Sequence, residues 1–195
     1  VPAYSTLGYM NWAGGDPLLS TWIAWPEGDF VRLLFHELAH QVIYAQNDTL
    51  FNESFATAVE RLGVAQWLAT QSTPAAREAY ATSEARRSAF RALTRATRTR
   101  LAAIYEQKEL QALEDHALNA MKTEAMKAFR DDYAALRARW LDAPGGTPPR
   151  ATTAQVAGYD RWVAQANNAS FAAQAAYDEL VPAFEALFER EGRHW

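Results

Sequence analysis

The stretch Leu34-Phe-His36-Glu37-Leu-Ala-His40-Gln41 sets the reading of the whole chain. Residues four apart lie on one face of an α-helix, so His36 and His40 project side by side toward a common point. Two imidazoles so placed can both reach one zinc ion at ~2.0–2.1 Å. Glu37 projects roughly 100° further round the helix. It stands beside such an ion rather than on it, where its carboxylate is free to take a proton from a water. Leu33, Leu34, Phe35, Leu38 and Ala39 flank these residues and predict a largely buried helix with dry surroundings. Two helical histidines satisfied by core partners would give the same short pattern by chance. Against that, the chain has only 4 His, and two of them fall here.

A third ligand has to come from elsewhere. In glutamate-type zinc peptidases it comes from a second helix packed antiparallel against the first, and the segment Asn52-Glu53-Ser54-Phe55-Ala56-Thr57-Ala58-Val59-Glu60 offers two carboxylates. The chain between His40 and Glu53 is long enough to finish one helix, turn at Asn47-Asp48 and set Glu53 opposite the histidines. Glu60 lies on nearly the same face but two turns on, so both cannot be direct ligands without distortion. Glu53 is preferred because it sits nearer the helix start; Glu60 is the alternative, or a residue that orients a ligand from behind.

Working outward, Asp29 is a plausible N-cap for the first helix, which runs to about Ala45, and the second runs from near Asn52 to about Ala69. Residues 1–26 are rich in Gly, Pro, Trp and Tyr and read as short extended pieces and turns. No Gly or Pro occurs from Ala75 to Ala143. One unbroken helix there would span about 100 Å at ~1.5 Å per residue. A hairpin of two long helices over 74–142 is expected instead, turning between Tyr105 and Asp115. Residues 143–150 (Ala-Pro-Gly-Gly-Thr-Pro-Pro-Arg) form a loop, Gly158 to Asn168 reads as irregular, and Phe171 to Glu191 reads as a helix kinked at Pro182. The expected fold is mainly α with a small N-terminal β element. It forms a single domain of a 1–26 β/turn segment, active-site helices over 27–72, the long hairpin, and a C-terminal loop and helix over 143–195.

Composition narrows the function. The chain has 195 residues, 49% hydrophobic, with 19 Lys and Arg against 23 Asp and Glu and a net charge of -4. That balance argues against a nucleic-acid surface. The basic run Arg86, Arg87, Arg91, Arg95, Arg98 and Arg100 suits a solvated helix face. With no Cys, thiol catalysis and cysteine metal sites are excluded, so an ion must sit on His and carboxylates. No apolar run approaches the ~20 residues needed to cross a bilayer. His116, within Glu114-Asp-His116, reads as part of a solvated turn.

Tyr4-Ser-Thr-Leu-Gly8, Asp16-Pro-Leu-Leu-Ser-Thr21, Phe35-His-Glu-Leu-Ala-His-Gln41 and Phe51-Asn-Glu-Ser-Phe-Ala56 together resemble the bacterial predicted-aminopeptidase family, a gluzincin-like group of envelope proteins. Asn167-Asn-Ala169, Tyr177 and Val181-Pro-Ala-Phe-Glu185 resemble its C-terminal part, so the similarity covers nearly the whole chain. The resemblance implies zinc on His36, His40 and Glu53, Glu37 as general base, a peptide substrate and a location in the bacterial envelope or periplasm. Val1 is not an initiator Met, and the resemblance implies a longer N-terminus, where many family members carry a signal or lipid-anchoring sequence.

For the oxyanion donor, Tyr177 is the first candidate, with Tyr44 and Tyr159 as alternatives. Tyr4 to Gly8 are candidates to bind substrate backbone as an edge strand, and Asn168 as a further backbone contact or a helix cap. Glu60 could instead receive the free ammonium that an aminopeptidase must recognise. Two alternatives to an active enzyme stay open. One is a zinc-bearing relative without turnover that binds peptides or partners; the other is an interaction module built on the hairpin.

Overall fold

The computed structural model describes residues 22, 25–111, 114–142 and 150–194, with the side chains of 108–111 left aside. Seven helices are described: α1 (Glu27–Val42), α2 (Thr49–Thr70), α3 (Pro74–Gln111), α4 (Asp115–Asp142), α5 (Thr153–Gln165), α6 (Asn168–Ala175) and α7 (Val181–Arg190). No strand occurs among the described residues, and the β element expected near the N-terminus lies outside them, apart from Trp22, Trp25 and Pro26. The chain divides into two compact units. One comprises Val1–Ala81 and Gln174–Trp195; the other is Thr82–Ala173.

In the first unit, α1 starts one turn earlier than a cap at Asp29 would require. Pro26 is the N-cap, and its carbonyl accepts from the amides of Asp29 and Phe30. Glu27 and Asp29 occupy the first turn, where carboxylates offset the exposed amides of the helix dipole. The helix ends at extended Ile43. Asn47 then takes a left-handed conformation (φ 65°), which its short polar side chain tolerates. Asp48, rather than a residue near Asn52, caps α2 by accepting from the Phe51 amide at 2.9 Å. Asn52 is buried and closes the loop from inside: its side chain bonds both the amide and the carbonyl of Ala45 at 2.8 Å.

That short loop forces α1 and α2 to run antiparallel in direct contact. Gly63 permits the approach: a Cβ there would sit 2.7 Å from the Phe35 ring. Elsewhere on α2, Phe51 and Phe55 meet Phe184 of α7 edge to face, with centroids 5.3 and 5.5 Å apart. Ser54, fully buried, donates from Oγ to the Ala176 carbonyl at 2.6 Å and accepts from the Leu180 amide at 3.2 Å. Arg61 pairs with Asp178 at 2.7 Å. The turn at 176–180 is thereby fastened to α2. Pro182 stands in the first turn of α7, where its missing N–H costs nothing. The single kinked helix expected over 171–191 is therefore two helices separated by this turn.

The second unit holds the larger apolar core, built around Phe90, Leu118, Phe129, Tyr133, Trp140, Val156 and Phe171. Phe129, Trp162 and Phe171 form a mutual edge-to-face set with centroids 5.1 to 6.0 Å apart. The helices α3 and α4 end and begin inside the window predicted for the turn. Residues 158–165, expected to be irregular, are instead helical. Thr152 and Gln155 form a reciprocal capping box, Gly158 has no neighbouring atom to constrain it, and Tyr159 and Trp162 pack on the core. Arg86 departs from the solvated face expected of the basic run, being only 6% exposed. Arg87 and Arg91 pair with Glu84, and His116 is exposed in the first turn of α4.

Candidate metal centre

The antiparallel α1–α2 pair brings His36, His40 and Glu53 together, with their ligand atoms all within 4.8 Å of one another. Glu53 Oε2 lies 3.3 Å from His36 Nε2 and 3.9 Å from His40 Nε2. A tetrahedral ion with bonds of ~2.0–2.1 Å sets its ligand atoms roughly 3.3 Å apart. Glu53 stands at or near that spacing from both imidazoles, so the three groups could hold a metal ion. All three are partly buried, as a site with restricted water access requires.

The charges of the cluster are coupled to one another. Burial alone pushes the His36 imidazole down, but hydrogen bonds to Glu53 and Glu60 outweigh it and raise its pKa to about 9. His40 has no carboxylate bonded behind it. Burial lowers its pKa, only partly opposed by Glu53, and its Nδ1 is buried without a hydrogen-bond partner. Burial acts to raise Glu53, yet the bonded His36 and the charge of both imidazoles bring it below the usual carboxylate value.

Two further groups complete the surroundings. The Glu53 carboxylate lies close enough to act on the Tyr177 hydroxyl, and burial together with that charge pushes the phenol up to about 12. Its ring stacks on His36 with centroids 6.0 Å apart. Glu37 is partly buried and close enough for its charge to act on both His36 and Tyr177.

The other sequence candidates fall in different places. Glu60 does not offer a carboxylate to an incoming ammonium. It is 8% exposed, with Oε1 bonded to Arg32 at 2.6 Å and Oε2 to His36 Nδ1 at 3.1 Å. Asn168 belongs to the second unit, where its amide donates to the Tyr105 hydroxyl. Tyr159 is in that unit too, and Tyr44 is 65% exposed, meeting His40 only edge-on at 6.4 Å. Tyr4 and Gly8 lie outside the described residues.

Sequence reading did not anticipate Arg32, Ser54 or Arg61. A signal for Arg32 existed: it is the charged residue one turn before His36 on an otherwise apolar stretch. Ser54 and Arg61 carry no such mark, since their partners lie more than a hundred positions away.

The helix pair converges two histidines and a glutamate that could hold a metal ion, with another glutamate and a tyrosine at the edge of the cluster. The chain matches the family described as "Putative aminopeptidase" over residues 1–195, and it belongs to that family. Comparison with characterised proteins finds no match, and comparison with solved structures finds none either.

Proposed function

We propose that this chain is a zinc-dependent peptidase, an aminopeptidase by its family, with His36, His40 and Glu53 as the metal ligands. The observation that carries the reading is the convergence of these three groups at separations suited to one small divalent ion. Two imidazoles and one carboxylate, without thiolate, are the donor set of catalytic zinc in peptidases. When bound, the ion lowers the pKa of a coordinated water toward neutrality and polarises the scissile carbonyl.

The protein's own groups do the rest. Glu37 accepts a proton at its carboxylate and later delivers it to the leaving amine. Tyr177 presents its hydroxyl at the edge of the cluster, where a donor can hold the carbonyl oxygen as charge develops on it. Tyr4 and Gly8 remain the proposed backbone contacts for an extended peptide. The proposed setting is the bacterial envelope. No helix among the described residues is long and apolar enough to cross a membrane.

The experiment is metal analysis joined to peptide turnover. One zinc per chain, absent in His36→Ala, together with hydrolysis of unblocked peptides, supports the reading. A folded protein that takes up no zinc and cleaves nothing in a broad peptide set defeats it. Blocked against free N-termini then separates internal cleavage from removal of the first residue.

A further inference from the structure

Resting on the zinc reading above, we infer that Arg32 is a positioning residue for the metal: acting through Glu60, it sets the proton and the direction of the His36 ring. The contacts are continuous. Arg32 Nη1 donates to Glu60 Oε1 at 2.6 Å, and Glu60 Oε2 accepts from His36 Nδ1 at 3.1 Å. An imidazole whose Nδ1 proton is held by a carboxylate gives up its other proton from Nε2, so Nε2 is the nitrogen left to bind an ion. That nitrogen is the one facing Glu53, at 3.3 Å.

The route crosses the helix pair twice, from Arg32 on α1 to Glu60 on α2 and back to His36 on α1. Arg32 and His36 are one turn apart, so Glu60 bridges two adjacent positions of the same helix face. Burial makes the arrangement directional. The Glu60 side chain is 10% exposed and that of His36 12%. Bulk water therefore cannot readily replace either partner, and without the guanidinium the carboxylate is free to turn away from Nδ1. His40 has nothing equivalent, because its Nδ1 is buried with no hydrogen-bond partner. His36 is thus the ligand aimed in advance, and Arg32 is what keeps it aimed.

The test measures zinc affinity of the full chain by competition with a colorimetric chelator, alongside melting of the metal-free protein. Arg32→Gln should bind zinc about 10- to 100-fold more weakly, the usual effect of losing an outer partner of a metal-ligating histidine. Arg32→Lys should show a smaller loss, since it keeps the charge but not the fork. The double variant R32Q/E60Q should be no weaker than E60Q alone, because Arg32 works only through Glu60. Nitrogen chemical shifts of His36, recorded above pH 9 where the ring is neutral, should change from a defined Nδ1–H form in the wild type to a mixed form in R32Q.

Wild-type affinity in a folded R32Q variant overturns the inference, as do additive losses in the double variant. If R32Q fails to fold, R32K takes its place, and unchanged affinity there overturns the inference equally. A wild type that binds no zinc defeats the peptidase reading itself, whereas equal binding by wild type and variant defeats only the role of Arg32.

Discussion

The phenol of Tyr177 lies over the imidazole of His36, planes 23° apart, with the Glu53 charge acting on its hydroxyl. The relationship is built by the fold. Ser54 grips the backbone on both sides of Tyr177, at Ala176 and Leu180, and Ser54 is the residue next to Glu53. Removing the hydroxyl alone leaves the stacking and the proposed metal ligands in place. Tyr177→Phe should keep its zinc and its KM while kcat falls on the order of 10²–10³, the cost of one oxyanion donor. Steady-state kinetics on a zinc-loaded sample decides it. A loss confined to KM would assign Tyr177 to substrate binding instead.

Glu37 has a carboxylate beside the cluster but not within the set of ligand atoms. Glu37→Gln should therefore retain zinc at the wild-type level while peptide hydrolysis drops by roughly 10²–10⁴, the range for a lost general base. The neutral isostere keeps shape and hydrogen bonding, so the contrast between intact metal content and lost turnover is the informative readout. A variant that hydrolyses normally would remove Glu37 from the mechanism.

At Gly63 α2 packs tightly against α1, and the missing side chain leaves room for the Phe35 ring. Phe35 adjoins His36 in the chain. Gly63→Ala should force Phe35 aside, costing about 1–3 kcal/mol in stability by overpacking. It should also weaken zinc binding by widening the gap between the histidines and Glu53. Denaturant unfolding and zinc titration measure the two effects on one sample. Normal stability with normal affinity would show that the helix pair yields freely there.

Stability of the metal-free protein should depend on pH through His36. Its pKa is raised from 6.5 to about 9 in the folded state, so folding takes up a proton in that interval. The stabilisation is fully present below pH 6.5 and is lost as pH rises through about 9, amounting to about 3 kcal/mol. His40 acts in the opposite sense. Its pKa is lowered, so its contribution declines as pH falls below 6.5. Zinc must displace the proton on Nε2 of His36, so apparent zinc affinity should climb with pH up to about 9. Melting curves with and without zinc from pH 6 to 10 should diverge as pH rises. Parallel curves would contradict the prediction.

The helical content and the convergence of His36, His40 and Glu53 were legible from local pattern. His36, Glu37 and His40 need only the period of a helix to be placed, and Glu53 needs only the short turn capped by Asp48. A gap of 17 positions between His36 and Glu53 leaves little freedom once both flanks are helical. The long Gly- and Pro-free region likewise announced a helical hairpin. Residues 158–165 misled because Gly158 and its aromatic neighbours suggest a loop when viewed alone. The capping box at Thr152 and the core that takes up Trp162 make the helix.

What the amino-acid order determined by itself was therefore the set of groups related by helix period and short loops. Tertiary structure decided which distant groups attend them. It drew Tyr177 to Glu53 through a serine bonded across 122 positions. It also turned Glu60 inward onto Arg32 and His36 rather than out toward substrate. Helical periodicity tells which residues share a face, but not which face a packed neighbour will bury. The direction of a buried carboxylate is settled by where its compensating charge lies in space.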